Sequence, residues 1–332
     1  MGAKAAGGRG RTFVLAVCCV LAPGAGLGQR APASRPARRD IWRTALRGLR
    51  RYEVRRDVTY ARVGAEKLLL DAYVPTAAGP HPAVLVVHGG AWRSGNKQQL
   101  SLIAHMLAGR RYVAFAINYR LAPRHRFPAQ IEDCRRAVRW IVAHAGRYKA
   151  DAARLGAMGY SAGGHLVAML AVQGVEHKTP AGVRTIRLKA VAAGGAPCDF
   201  RPLPADSRVL AYWLGGTRAE KPKAYEQASP AALVSPSAAP VFFYHGGADR
   251  LVPAASPRAM CEALRRVKVD SQFCVIPGAG HIPAALNLPA MGKAFDFLGK
   301  HLRAEGANAD EANAPPKREA AKRPPARPAP QR

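Results

Sequence analysis

Residues 154–172 read Arg154-Leu-Gly-Ala-Met-Gly-Tyr-Ser-Ala-Gly-Gly-His-Leu-Val-Ala-Met-Leu-Ala-Val172. Arg154–Met158 predicts a short strand and Ala162–Val172 a helix. The turn between them, Gly159-Tyr160-Ser161-Ala162-Gly163, fits Gly-x-Ser-x-Gly. Between a strand and a helix, that pattern describes a nucleophile elbow, a turn so tight that its serine is strained. Side chains two positions before and two after the serine would collide, which accounts for Gly159 and Gly163. The elbow lifts the serine oxygen off the sheet edge. It also aims the Ala162 N–H, at a helix start, at the place where negative charge would develop.

Working outward, short apolar runs alternate with amphipathic helices, the pattern of a largely parallel α/β sheet. Upstream, Val58–Val63 and Leu68–Val74 predict an opening hairpin. Ala83–His88 and Val113–Asn118 are continuous apolar runs, expected of strands buried on both faces. Ala129–His144 predicts a helix with Ile131, Cys134, Val138, Ile141 and Val142 on one face and Arg135, Arg136 and Arg139 on the other. Downstream, strands are expected at Ala190–Ala196, Pro240–Tyr244 and Ser271–Ile276. Helices are expected at Ala255–Val267 and around Met291, Phe295, Leu298 and Leu302. The fold class is thus α/β, a mostly parallel central sheet with helices on both faces.

A nucleophilic serine needs a base, and the base needs a carboxylate to fix its tautomer. In a fold of this kind the order is serine, acid, histidine, each at the C-terminal end of a strand. Asp249 follows the strand at Pro240–Tyr244, and His281 follows the strand at Ser271–Ile276, both in Gly-rich loops. The alternatives fit less well. His165 lies inside the elbow helix, His245 precedes the acid loop, Asp133 sits on a remote helix, and Asp199 and Asp206 come one strand early. After the first buried strand comes His88-Gly89-Gly90-Ala91-Trp92. Its glycines let backbone N–H groups approach a substrate, so Gly89, Gly90 and Ala91 are expected to complete an oxyanion hole with Ala162. His88 is expected to order this loop by hydrogen bonding. Trp92 is open to packing or to lining the acyl pocket. Trp92 and Tyr160 are carried forward as candidate pocket residues.

With these pieces assembled, the chain resembles the esterase/lipase branch of the α/β-hydrolase superfamily with a His-Gly-Gly oxyanion loop. It is similar to feruloyl-esterase-like proteins, hormone-sensitive-lipase relatives and kynurenine formamidases. The matching stretches are HGGAW (88–92), NYRLAP (118–123), GYSAGGH (159–165), HGGADRLVP (245–253) and PGAGH (277–281), and the resemblance covers about residues 58–303. It implies Ser161 as nucleophile, Asp249 and His281 as its partners, and the N–H groups of Gly90, Ala91 and Ala162 as oxyanion donors. No metal or cofactor is implied. Many relatives carry a third glycine where this chain has Ala91, a difference that bears on loop shape and pocket width. The segment from Phe200 to Ser229 resembles a lid region. The expected activity is hydrolysis of short-acyl carboxylic esters, including acetylated or feruloylated glycans. The alternatives are an amide hydrolase (arylformamidase or peptidase-like) and a non-catalytic adhesion module on the same fold.

The ends of the chain read differently from the middle. Lys4, Arg9 and Arg11 precede the apolar segment Phe13–Leu21, and Gly26-Leu27-Gly28 is a passable cleavage site, so residues 1–28 are expected to be a signal peptide. That predicts a secreted or periplasmic protein. Leu15-Ala16-Val17-Cys18 is a poor lipoprotein box, which leaves lipid anchoring the lesser option. Residues 29–57 read as a basic linker, 58–303 as the catalytic domain, and 304–332 as a disordered Ala/Pro/Arg-rich tail. No apolar run approaches the roughly 20 residues of a transmembrane helix. The net charge of +30 comes from 51 Lys plus Arg against 21 Asp plus Glu. It is dispersed and mostly Arg in a chain dense in Ala, Gly and Pro, which fits compositional bias better than a specific nucleic-acid partner. Cys134, Cys198, Cys261 and Cys274 are expected to be mostly buried, unpaired thiols. Cys261 on a helix and Cys274 mid-strand would sit in layers on the order of 10 Å apart, too far for a disulfide.

Overall fold

A computed structural model describes residues 51–180 and 182–303. The expected signal peptide and tail, and the linker up to residue 50, lie outside the described residues. Ten strands and eight α-helices are described. The strands are β1 (Tyr52–Val63), β2 (Glu66–Pro75), β3 (His81–Val87), β4 (Val113–Ile117), β5 (Ala150–Tyr160), β6 (Val175–Thr179), β7 (Gly182–Ile186), β8 (Val191–Gly194), β9 (Val241–Gly246) and β10 (Ser271–Ile276). The helices are α1 (Ser101–Gly109), α2 (Ala129–His144), α3 (Ala162–Gln173), α4 (Ala211–Leu214), α5 (Pro222–Gln227), α6 (Ala255–Arg266), α7 (His281–Ala285) and α8 (Leu288–Leu302).

Eight strands form one sheet in the order β1-β2-β4-β3-β5-β8-β9-β10. The pairs β1–β2 and β2–β4 are antiparallel, and the rest of the sheet is parallel. In the parallel part β3 and β4 are wholly buried, because helices cover both faces. Strand alternation sorts their side chains between two cores. Leu85, Val87, Phe115 and Ile117 pack with residues of α2, α3 and α6. Val84, Val86, Ala114 and Ala116 pack with α1 and α8 on the other face. Helix α3 is buried on all sides from Ala162 to Val172, in keeping with a sequence that is apolar or glycine throughout except for His165.

The register sets the site. Val87 pairs with Gly159, Tyr160 with Gly194, Gly194 with Tyr244, and Gly246 with Ile276. The C-terminal ends of β3, β5, β8, β9 and β10 therefore reach one edge of the sheet, and their following loops converge there.

Some boundaries differ from expectation. Strand β1 begins at Tyr52, so residues 52–57 are strand and not linker: Tyr52–Arg55 pair with Ala72–Pro75 of β2. Neither α1 nor the separate β6–β7 hairpin was anticipated. Helix α1 hides behind a short apolar set, Ile103, Ala104, Leu107 and Ala108, that is legible only once β2 and β4 supply the surface it covers. Cys134, Cys198, Cys261 and Cys274 are free thiols, the first three buried. No helix among the described residues is long and apolar enough to cross a membrane.

Candidate active site

Ser161 closes β5 and caps α3 with φ 56° and ψ −121°. A non-glycine residue there costs on the order of 1–3 kcal/mol, so the surroundings must enforce it. A Cβ on Gly159 would lie 2.4 Å from the Gly163 carbonyl oxygen. One on Gly163 would lie 2.0 Å from the Val87 oxygen and 2.5 Å from that of His88. Both positions therefore need glycine, as the tight turn predicted. The Gly163 contacts show that β3, not only the elbow itself, presses on the turn.

The loops after β9 and β10 bring Asp249 and His281 to this serine. The Ser161 hydroxyl lies 2.9 Å from His281 Nε2, and His281 Nδ1 lies 2.6 Å from Asp249 Oδ2. The second carboxylate oxygen, Oδ1, accepts the Leu251 and Val252 N–H groups at 2.9 Å each. Burial alone would raise the Asp249 pKa. The bonds from Val252, His281 and Leu251 outweigh it, leaving the carboxyl below the ordinary value. Asp249 is thus an ionised acceptor that keeps the His281 proton on Nδ1 and leaves Nε2 to accept from Ser161. Such a chain can move a proton from a hydroxyl to an imidazole while stabilising the imidazolium.

The backbone donors are oriented by what their own peptide carbonyls do. In a trans peptide, C=O and N–H point in opposite directions. The Gly89 oxygen accepts His88 Nδ1–H at 2.7 Å and the Tyr119 hydroxyl at 3.3 Å, so the Gly90 N–H is turned the other way. The Gly90 oxygen accepts the N–H groups of Arg93 and Ser94 at 3.1 and 3.0 Å, which turns out the Ala91 N–H. The Ser161 oxygen accepts His165 N–H at 2.9 Å inside α3, leaving the Ala162 N–H directed out of the helix start. Gly89 allows close approach: a Cβ there would lie 3.3 Å from the Ser161 Cβ. Gly90, Ala91 and Trp92 all have positive φ, at 104°, 50° and 58°, so this loop too is held in a conformation it would not adopt alone.

His88 orders the loop. Its ring stacks on Tyr119 at 4.2 Å, and burial lowers its pKa to about 4, keeping it neutral. Tyr119 belongs to the NYRLAP stretch, whose buttressing role the motif alone did not reveal. The next residue, Arg120, holds buried Asp133 with two bonds of 2.8 and 2.9 Å. That accounts for Asp133 structurally. His165 is likewise fully engaged, accepting from Trp92 Nε1 and donating to the Ala228 oxygen.

Of the two candidate pocket residues, Trp92 takes the packing option and Tyr160 lies in the core. Trp92 is buried, stacked at 3.7 Å on Trp213 and edge-on to His165 and Phe200. Its positive φ swings the indole inward, where an aromatic cluster offers more buried area than a solvent-filled pocket would. Tyr160 is also buried, and its hydroxyl donates to the His281 carbonyl oxygen. On a strand, neighbouring residues face opposite ways. Tyr160 accordingly points into the α8-side core and braces the histidine loop from beneath. The segment expected to form a lid is stitched to the oxyanion loop: Trp213 stacks on Trp92, and the Tyr212 hydroxyl donates to the Ala91 oxygen at 2.8 Å. No local pattern marked Tyr212 or Trp213 as partners of residues 91 and 92.

Known proteins resemble this chain in sequence and in fold. The BD-FAE family model matches residues 70–264. Esterase LipC of Mycobacterium tuberculosis is 32% identical over 248 residues, covering 70% of this chain and 60% of that protein. The probable carboxylic ester hydrolase LipM of the same organism is 32% identical over 247 residues, covering 70% and 54%. This chain thus spans less than two thirds of the length of these two relatives. Among solved structures, a truncated carbohydrate esterase from gut microbiota superposes with a TM-score of 0.67 at 22% identity, covering 76% of this chain and 97% of that one. The butyrate-bound esterase Est2 of Thermogutta terrifontis superposes with a TM-score of 0.64 at 25% identity, covering 77% and 97%. The sheet order, the elbow and the family match agree: this chain is an α/β hydrolase of the esterase/lipase type and belongs to the BD-FAE family.

Proposed function

We propose that this protein is a serine hydrolase that cleaves carboxylic esters with short acyl groups through an acyl-enzyme. The observation that carries the reading is the hydrogen-bonded row from Asp249 through His281 to Ser161 at a strained elbow. In this mechanism His281 Nε2 takes the Ser161 proton as the oxygen attacks the ester carbonyl. The N–H groups of Gly90, Ala91 and Ala162 receive the developing oxyanion. Asp249 stabilises the imidazolium without taking its proton. His281 then protonates the departing alcohol, and water, activated by the same histidine, releases the acid. The esterase relatives support the reaction class.

The short-acyl reading is supported by the closeness of residues 210–214 to the oxyanion loop, which they hold through the Tyr212 bond to Ala91 and the Trp92–Trp213 stack. Est2, with the same fold, has been solved with butyrate and with propionate bound. The carbohydrate-esterase neighbour agrees with an acylated glycan as natural substrate. The basic leader and apolar run at the N-terminus favour action outside the cytoplasm. The test is a panel of 4-nitrophenyl esters of rising chain length with acetylated xylan, methyl ferulate and formylkynurenine. We expect kcat/KM to peak at about two to four acyl carbons. Ser161→Ala should lose on the order of 10⁴–10⁶ in turnover without loss of fold. A peak at roughly ten carbons or more would overturn the short-acyl assignment, and a Ser161→Ala variant retaining about a tenth of the activity would overturn the nucleophile.

A further inference from the structure

We propose that Arg93 is a specificity-determining residue that selects esters carrying a carboxylate close to the scissile bond, an inference that rests on the ester-hydrolase reading of the Ser161 site. The loop after β3 divides its side chains sharply. Trp92 turns inward onto Trp213, while Arg93, the next residue, is exposed. The Arg93 N–H closes the turn on the Gly90 oxygen at 3.1 Å, so the residue sits one tight turn from Gly90 and Ala91, and Gly89 at the start of that loop abuts Ser161. Its guanidinium carbon stands 5.0 Å from the ring centroid of Tyr212. The Tyr212 hydroxyl is fixed in turn on the Ala91 oxygen. A closed path of contacts, Arg93–Tyr212–Ala91, thus holds a cation on the outer lip of the oxyanion loop.

Arg93 is paired with no carboxylate among the described residues. Arg201, on the loop after β8 at the same sheet edge, differs: two bonds of 2.9 and 2.7 Å tie it to Asp199. Arg250, exposed beside Asp249, adds a second positive group to that edge. A guanidinium resting on an aromatic ring keeps its N–H fork free for a carboxylate. It has also lost part of its rotamer freedom before binding, which lowers the cost of capturing an anion.

The test compares two substrate pairs, each differing mainly in one charge. The pair 4-acetoxybenzoate and 4-acetoxybenzamide puts the carboxylate on the departing alcohol. The pair 4-nitrophenyl hemiglutarate and 4-nitrophenyl pentanoate puts it on the acyl side. The readout is the ratio of kcat/KM within a pair, wild type against Arg93→Gln, in which intrinsic reactivity and any general loss of activity cancel. We expect Arg93→Gln to lower the anion:neutral ratio by about three- to tenfold in at least one pair, through KM, as for a partly exposed charged contact. Arg93→Lys should restore part of the ratio, and rising salt should erode it in the wild type only. The pair that responds identifies the side on which the charge is read. An unchanged ratio in both pairs overturns the proposal. Calorimetric binding of 4-acetoxybenzoate to Ser161→Ala, with and without Arg93→Gln, gives a readout independent of turnover. If no ester is hydrolysed, the hydrolase reading fails; if the two variants also bind equally, the role of Arg93 fails separately.

Discussion

Replacing Asp249 by asparagine tests the site with almost no change of shape. The Leu251 and Val252 N–H groups both donate to Oδ1, so the asparagine oxygen must occupy that position. The amide nitrogen is then forced into the Oδ2 position, 2.6 Å from His281 Nδ1. Two donors cannot face each other, so His281 must give up its Nδ1 proton and carry one on Nε2. That nitrogen then confronts the Ser161 hydroxyl as a donor and can no longer accept its proton. The expected loss in kcat is on the order of 10⁴, equivalent to about 5 kcal/mol of transition-state stabilisation. Stability should fall by only about 1–3 kcal/mol, since both backbone bonds to Oδ1 survive, while the Oδ2 contacts to His281 at 2.6 Å and His245 at 3.2 Å are lost. The assay is kcat and KM on 4-nitrophenyl butyrate with a thermal melt of the same preparation. A folded Asp249→Asn enzyme within about tenfold of wild type would refute the tautomer argument and with it the role of Asp249.

Three other outcomes follow from the packing. Gly163→Ala should destabilise the protein by several kcal/mol, on the order of a severe overpacking change, because its Cβ would sit 2.0 Å from the Val87 oxygen; a near-normal melting temperature would contradict this. His88 and His165 are buried and neutral, each with its pKa lowered from 6.5 to about 4. The unfolded chain therefore binds more protons between those values, and stability should fall as pH drops from about 6.5 towards 4, by on the order of 3 kcal/mol per histidine; His165→Gln should flatten that slope if it folds, and urea melts across the range would show a pH-independent midpoint if the reasoning fails. In the native protein Cys274, half-buried, should be alkylated ahead of Cys134, Cys198 and Cys261, which are buried; mass mapping that finds one of those three reacting first would contradict the packing.

The elbow was legible in the sequence because its cause is local. Gly159, Ser161 and Gly163 lie within five residues, and steric limits on a tight strand–helix turn act over that distance. The parallel strands were legible because burial on both faces leaves unbroken apolar runs such as Ala83–Val87 and Val113–Ile117. Asp249 and His281 were legible through chain order, since strand-end loops of a parallel sheet must open on one edge. The rest depended on partners far apart in the chain. Trp92 and Tyr160 flank the candidate catalytic residues, and from sequence Trp92 could pack or line a pocket while Tyr160 was a pocket candidate; Trp213 claims the first and the His281 carbonyl oxygen the second. The strand start at Tyr52 depended on the length of β2 available for pairing. The outward aim of the Gly90 and Ala91 N–H groups depended on the hydrogen bonds that claim the carbonyls of Gly89 and Gly90. A local pattern states which surface a residue prefers, whereas the identity of the atom that meets it is set only when strands and loops from distant parts of the chain close on one another.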